Sequence, residues 1–376
     1  MIIHFSILLL ILVVSAFYEH QFCANKLRAI ANGGVSSDYV GSIIPWLIVF
    51  GYITFLAGMR TSVNDTVEYR ESFVSLVPSW NAVWDIVHSN IKDKGFSVLA
   101  ILFKLYVSSD YHAWFLFVAF IESILFLSVL RRESVSFLDS CFLLFASTIY
   151  FNYFSMMRQW LAISIVFWAS RYIKKGKIVP YIFFCLLAAQ FHNSAYFMIF
   201  VYFLVIGETW NKKQLLFIVV FTVLLLFLQP ILNTIGFLAE DSTYGYVVNT
   251  MKKGSGSSWI RIPIAAIPLV LAYIYKDRIN KDEKMVNISV NISLLNMLLL
   301  VLASLTSGIF IGRMSGYTQI FSLILFPYLI NVAIDEKIRS YVKLIFYIFY
   351  FAYYILQMNY SGAFSYGSDV IGYYMQ

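Results

Sequence analysis

Stretches of predominantly apolar residues follow one another from one end of this chain to the other, and most of the loops between them are short. A helix that crosses a bilayer takes about 17–25 such residues. On that scale spans fall near 2–18, 41–58, 111–130, 136–152, 156–170, 178–190, 195–207, 214–233, 260–275, 285–306, 316–334 and 341–358, about twelve in all. Composition agrees. Of the 376 residues 60% are hydrophobic and only 12% charged, about half the charge of a soluble domain. So little charge cannot cover a water-soluble globule of this size, which excludes a cytoplasmic enzyme, a secreted disulfide scaffold and a disordered chain. The expectation is an all-α fold, a polytopic membrane helical bundle forming a single transmembrane domain over 1–376.

Cys23, Cys141 and Cys185 stand far apart, with no Cys-x-x-Cys pair and no Cys/His ligand spacing. Neither a metal site nor a disulfide framework is therefore expected. The net charge of +7 is spread over short loops and is not a nucleic-acid footprint. No nucleotide-binding loop is present, so no cofactor is expected. Cytoplasmic loops of membrane proteins carry an excess of Lys and Arg. That rule puts Lys26, Arg28, Arg131, Arg132, Arg171, Lys174, Lys175, Lys177, Lys212, Lys213, Lys276, Arg278, Lys281, Lys284, Lys337, Arg339 and Lys343 inside. The first apolar run lacks the basic start of a secretory signal and reads as a retained helix with its N-terminus outside.

A long outer segment, 59–110, separates the second and third spans. Asp65-x-x-Glu68 reads as a capping box opening a helix over 66–77. Trp80, Val83, Trp84, Val87 and Ile91 fall on one helix face, suited to the membrane interface. GFSVLAILFKLYV is apolar for only about a dozen residues, too few for a span, and reads as an interfacial or re-entrant helix. A second outer loop, 234–259, ends in KKGSGSS.

Four segments carry polar residues where apolar ones would be ordinary. GMRTSVNDTVEY (58–69) pairs Arg60 with Asn64 and Asp65 with Tyr69 at helical spacing. FNYFSMMRQWLA (151–162) sets Asn152, Arg158 and Gln159 into an apolar hairpin. QFHNSA (190–195) brackets His192 with Gln190, Asn193 and Ser194, which can fix the ring's tautomer. GIFIGRMSGY (308–317) flanks Arg313 with glycines and ends at Tyr317. A charge at membrane depth is costly and marks a cavity or an anionic partner. Arginine forks match phosphate oxygens bidentately. Arg60, Arg158 and Arg313 around an outer cavity therefore suit a pyrophosphate carried on a lipid. Asp65 and His192 are the candidate catalytic groups. Asn64, Tyr69, Asn152, Gln159, Asn193 and Tyr317 are candidates for contacting sugar, and Trp80, Trp84, Tyr153, Trp160, Tyr244, Tyr246 and Trp259 could stack on sugar rings.

In this order the segments GMR…NDT…Y, GFSVLAILFKL, FNYFSMMRQWLA, FHNSA and GRMSGY resemble the EpsG-like family, Wzy-type polymerases of bacterial surface polysaccharides such as O-antigen or capsule. The resemblance covers roughly residues 45–330. It implies a substrate of undecaprenyl-pyrophosphate-linked oligosaccharide, block transfer at the outer face of the bacterial cytoplasmic membrane, and a chain-length regulator protein as a further partner beside membrane lipids. Where that family often carries Glu-Pro before a glycine, this chain has Asp93-Lys94-Gly95. The outer helices also resemble the layout of multi-span lipid-carrier glycosyltransferases, in which an acidic residue of the first outer loop is catalytic; Asp65 stands in that place. The expected function is a glycan polymerase, with Asp65 favoured as base and His192 as a binding or orienting residue. The rivals are a flippase or transporter of the same lipid-linked glycan, and a ligase that moves finished glycan to another acceptor. Against the transporter stand the gathering of unusual charges near one face and the lack of repeated halves.

Overall fold

The computed structural model describes residues 2–238, 245–252, 256–308, 310–360 and 365–374. Among them the chain is helical apart from one small antiparallel pair, Gly367–Ser368 with Tyr373–Tyr374. Helices run back and forth between two polar ends. Met157–Lys174 has Arg158 in its first turn and Lys174 at its last residue. Eighteen residues at 1.5 Å each give about 27 Å between those ends. Ile178–Phe191 follows Lys177 and ends at His192. Tyr111–Glu133 runs from His112 to Arg131 and Arg132.

At the basic end the loops are stitched together. Lys26 Nζ donates to the carbonyls of Arg132 and Ser134, both at 2.6 Å, meeting acceptors left open where the Tyr111–Glu133 helix stops. Lys174 donates to Glu133 (2.8 Å) and Ser37 (2.7 Å). Glu283 accepts from the Ser36 hydroxyl at 2.9 Å. Buried Asp139 accepts from Asn331 (2.9 Å), Lys343 (2.8 Å) and the Tyr347 hydroxyl.

Among the described residues three helices are long and apolar enough to cross a membrane, Tyr111–Glu133, Lys284–Leu305 and Glu336–Asn359, or up to six if each of three bent pairs counts as one span. The dozen apolar runs thus correspond to fewer full-length helices. The reason is local breaks. The run at 136–152 divides at Thr148, whose φ is +65°, into Phe137–Ala146 and Tyr150–Ser155. Others are short apolar helices, such as Ile43–Gly58 and Asn193–Val205.

The segment 59–110 forms three helices, Thr66–Ser75, Trp80–His88 and Lys94–Tyr106. Phe73, Phe96 and Phe103 pack around Trp114 at the start of the third span, with ring centroids 5.3–5.6 Å away. Lys104 Nζ donates to the carbonyls of Phe73, Val74 and Leu76 (3.0, 2.6 and 2.9 Å), closing the end of the first of these helices. Val83 is buried while Trp80 and Trp84 are 61% and 67% exposed, an apolar face left bare as an interfacial helix requires. The expected capping box is not made. Asp65 precedes the helix, but its side chain accepts no capping bond. Its φ of −73° and ψ of 9° lack the extended geometry an N-cap uses, because Asn64 has turned the chain with φ +47°. In the second outer loop the helices Leu228–Leu238 and Gly245–Lys252 are present; residues 239–244 and 253–255, with Tyr244 and most of KKGSGSS, and the Tyr246 side chain lie outside the described residues.

The last segment, 365–374, folds back over the end that bears the polar cluster. Thr61 N donates to Gly367 O (2.7 Å), Tyr366 to Leu56 O (2.8 Å), and Asp369 pairs with His112 at 2.9 Å.

Candidate functional site

Five chain segments meet at the end opposite the basic loops. Asp93 sits in the left-handed region (φ +57°) just before the Lys94–Tyr106 helix. One of its carboxylate oxygens lies 3.4 Å from Arg158 Nη1, and the other accepts from the backbone N–H of Asn193 at 3.0 Å. Gly95 makes this approach feasible: a Cβ there would lie 2.6 Å from Gln190 Cβ and 2.9 Å from Gln190 O. Asp93 therefore ties the start of one helix to the arginine of a second and to the His192 turn. The Arg158 guanidinium also stands over the Tyr69 ring, 5.6 Å from its centroid. Its side chain is 44% exposed, against 11% for Asp93.

His192 Nδ1 lies 2.6 Å from the Ser194 hydroxyl, and the Ser194 N–H donates to the same nitrogen at 3.4 Å. Ser194 in turn bonds the hydroxyl of buried Tyr317 at 3.1 Å. Nδ1 is thus held, and Nε2 is the ring nitrogen left for a ligand. From the Ile311–Gln319 helix, exposed Arg313 completes the group. Its carbonyl accepts from the Gln159 side-chain amide at 2.6 Å, so Gln159, itself buried, ties the arginine's helix to its own.

The charges act on one another. Burial, reinforced by Glu68, pushes the Asp65 carboxyl above its ordinary range, and Arg313 and Arg158 pull the other way. Burial lowers the His192 imidazole; Arg313 and Arg158 lower it further, and Asp93 opposes them. Asp65 and His192 thus feel the same two guanidiniums.

Arg60 itself is only 1% exposed. Its Nε donates to the Thr66 hydroxyl (3.3 Å), its Nη1 to Ala57 O, and its guanidinium stands 4.8 Å from the Phe115 ring centroid. The acidic group acting most strongly on it is Glu122. It lies beneath the exposed cluster, not within it. Asn152 is also elsewhere. A break at Met156 (φ −110°, ψ 61°) separates its helix from that of Arg158, and Asn152 lines a cavity of about 260 Å³ with Arg261, Asn296 and Gln319. Tyr153 and Trp160 are buried against Phe126 and present no ring to a sugar. Asn64 and Asn193 are exposed and Tyr69 is half-buried at the cluster. Among the described residues no His/Cys/Asp/Glu group has metal-ligand geometry.

A model described as the EpsG family matches residues 43–373. The chain belongs to the EpsG family. No curated protein and no solved structure matches it. EpsG is a Wzy-like polysaccharide polymerase-type family, so this is a membrane protein with a polymerase-like role in surface polysaccharide biosynthesis. The match reaches past 330 to the C-terminal segment that closes over Arg60 and His112. In this EpsG-family chain the cluster also holds Asp93, read from the sequence only as standing where the family often has Glu, and Ser194, read only as one of three groups able to fix the His192 tautomer. The signal for Asp93 was present: an acidic residue directly before a glycine at the start of an apolar helix. For Ser194 it was the two-residue spacing from His192, the reach of a side-chain turn.

Proposed function

We propose that this protein joins oligosaccharide repeat units carried on undecaprenyl pyrophosphate, at the outer face of the bacterial cytoplasmic membrane. One observation carries the reading: in an EpsG-family chain, two exposed arginines gather beside Asp65 and His192 at the end of the bundle away from the basic loops. The donor is the growing glycan on its lipid pyrophosphate. A hydroxyl of a second lipid-linked unit attacks the anomeric carbon; the new C–O bond forms as the bond to pyrophosphate breaks. The electron pair leaves with the pyrophosphate, whose charge Arg158 and Arg313 hold. Fixed charges aimed where charge develops need no reorganisation during the step. The hydroxyl proton passes to Asp65, whose affinity for a proton is raised by its burial, the direction that favours a base. His192, with Nδ1 accepting from Ser194 N–H, carries its proton on Nε2 and from there donates a hydrogen bond to a phosphate or sugar oxygen. Asp93 and Gln159 position the two arginines.

Sidedness is testable directly, since the three native cysteines are buried and give little background. A membrane-impermeant thiol reagent on intact cells is expected to label Ser79→Cys and to label Arg278→Cys only after permeabilisation. The reverse pattern would invert the topology and move the site to the cytoplasm.

The pH dependence follows from the charges. Arg313 lowers the proton affinity of both Asp65 and His192. Removing it raises both, so whichever group titrates, the acidic limb of the rate–pH profile moves to higher pH in Arg313→Gln. An unchanged limb, or one moved to lower pH, would separate Arg313 from both groups.

A further inference from the structure

The loops at the basic end enclose a cavity of about 650 Å³ that the polymerase reading does not use. Lys174, Lys175, Lys276, Lys281 and Lys284 line it, against Glu208 and Asp277. Lys174 is held by Glu133 at 2.8 Å, and Lys281 lies 3.7 Å from Glu208. Among the described residues no carboxylate stands within ion-pair distance of Lys175, Lys276 or Lys284. Trp210 also lines the cavity, held edge-on to Tyr273 with ring centroids 5.2 Å apart. Its indole N–H is buried and has no hydrogen-bond partner, a costly state for a donor. Ile206, Ile279 and Ile288 supply an apolar wall.

Unpaired ammoniums, an unmet N–H donor and an apolar wall around one space are the chemistry of a phosphate attached to an apolar body. We propose that this cavity binds the headgroup of an anionic membrane phospholipid: the phosphate meets Lys175, Lys284 and the Trp210 N–H, and the first carbons of the lipid chains lie against the isoleucines. Basic pockets between membrane helices recognise anionic headgroups in this way. The cavity lies at the Lys174 end of the Met157–Lys174 helix, about 24 Å from Arg158 at helical rise. It is therefore separate from the proposed pyrophosphate site, and the two stand or fall independently.

The test uses the full-length protein purified in uncharged detergent, with thermal unfolding followed against added phosphatidylglycerol, phosphatidylcholine or inorganic phosphate. A ligand that binds only the folded state raises the midpoint in a saturable way. Phosphatidylglycerol is expected to do so and the other two are not. Loss of an ammonium costs about fivefold in affinity, so Lys175→Gln/Lys284→Gln is expected to weaken the effect about 25-fold. Trp210→Phe, which keeps the ring and deletes the donor, is expected to weaken it severalfold and decides the matter if the double variant does not fold. Arg28→Gln/Lys337→Gln removes two exposed charges from the same end outside the cavity and is expected to change nothing. Equal weakening in that control pair, equal protection by inorganic phosphate, or no protection by phosphatidylglycerol would overturn the proposal.

Discussion

Arg158→Ala is expected to lower polymer formation by about 10²–10³-fold, the loss seen when one fixed donor to a developing negative charge is removed. The protein should still insert and keep its thermal stability. The Arg158 side chain is 44% exposed and its ion pair to Asp93 spans 3.4 Å; exposed pairs of this kind are worth about 0–1 kcal/mol. Lysine at 158 should restore little, because an ammonium lacks the bidentate fork. Arg60→Ala is expected to behave differently. That guanidinium is buried among Ala57 O, Thr66 and Phe115, so its loss should appear first as lowered stability and yield. Activity per folded molecule, measured beside the unfolding midpoint, separates the two cases. Full activity in Arg158→Ala would remove the charge-stabilising role from this arginine.

The second large effect is expected at Asp65. Asp65→Asn should bind lipid-linked substrate normally and turn it over at least about 100-fold more slowly, the lower end of a general base's contribution. Because Asp65 makes no capping hydrogen bond, a purely structural loss has little to act through. His192→Gln, which keeps a donor near the Nε2 position, should mainly raise KM. Near-normal turnover by Asp65→Asn, with His192→Gln inactive and still able to bind, would exchange the two roles.

Much of the cluster was legible because arginine, histidine and aspartate are conspicuous in an apolar chain. Arg158, His192 and Arg313 stand out where membrane depth makes charge costly, and the structure brings these three together with Asp65. Orientation was not legible. Whether an arginine next to a helix end faces outward or inward depends on the packing around it: Arg60 turns in over Phe115, while Arg158 turns out over Tyr69. Asn152 and Arg158 are close in sequence, yet the break at Met156 sends Asn152 to a cavity that Arg158 does not line. The capping box failed for a backbone reason, the left-handed Asn64. Hydropathy marked the apolar runs but not the break at Thr148, which turns the run at 136–152 into two short helices. The three outer helices were readable because amphipathic spacing and length are local properties; the return of 365–374 onto Thr61 and His112 is a long-range contact with no local signature.

The most direct test of the account is a reaction with the purified protein in lipid vesicles, one defined undecaprenyl-pyrophosphate-linked repeat unit, and no nucleotide or other energy source. The pyrophosphate leaving group is the only driving force the mechanism requires. The account predicts a ladder of glycans growing by whole repeat units, one lipid pyrophosphate released per bond, and no ladder with Arg158→Ala. Repeat units that cross the vesicle membrane unjoined, or that remain single with the wild-type protein while Arg158→Ala behaves identically, would contradict it.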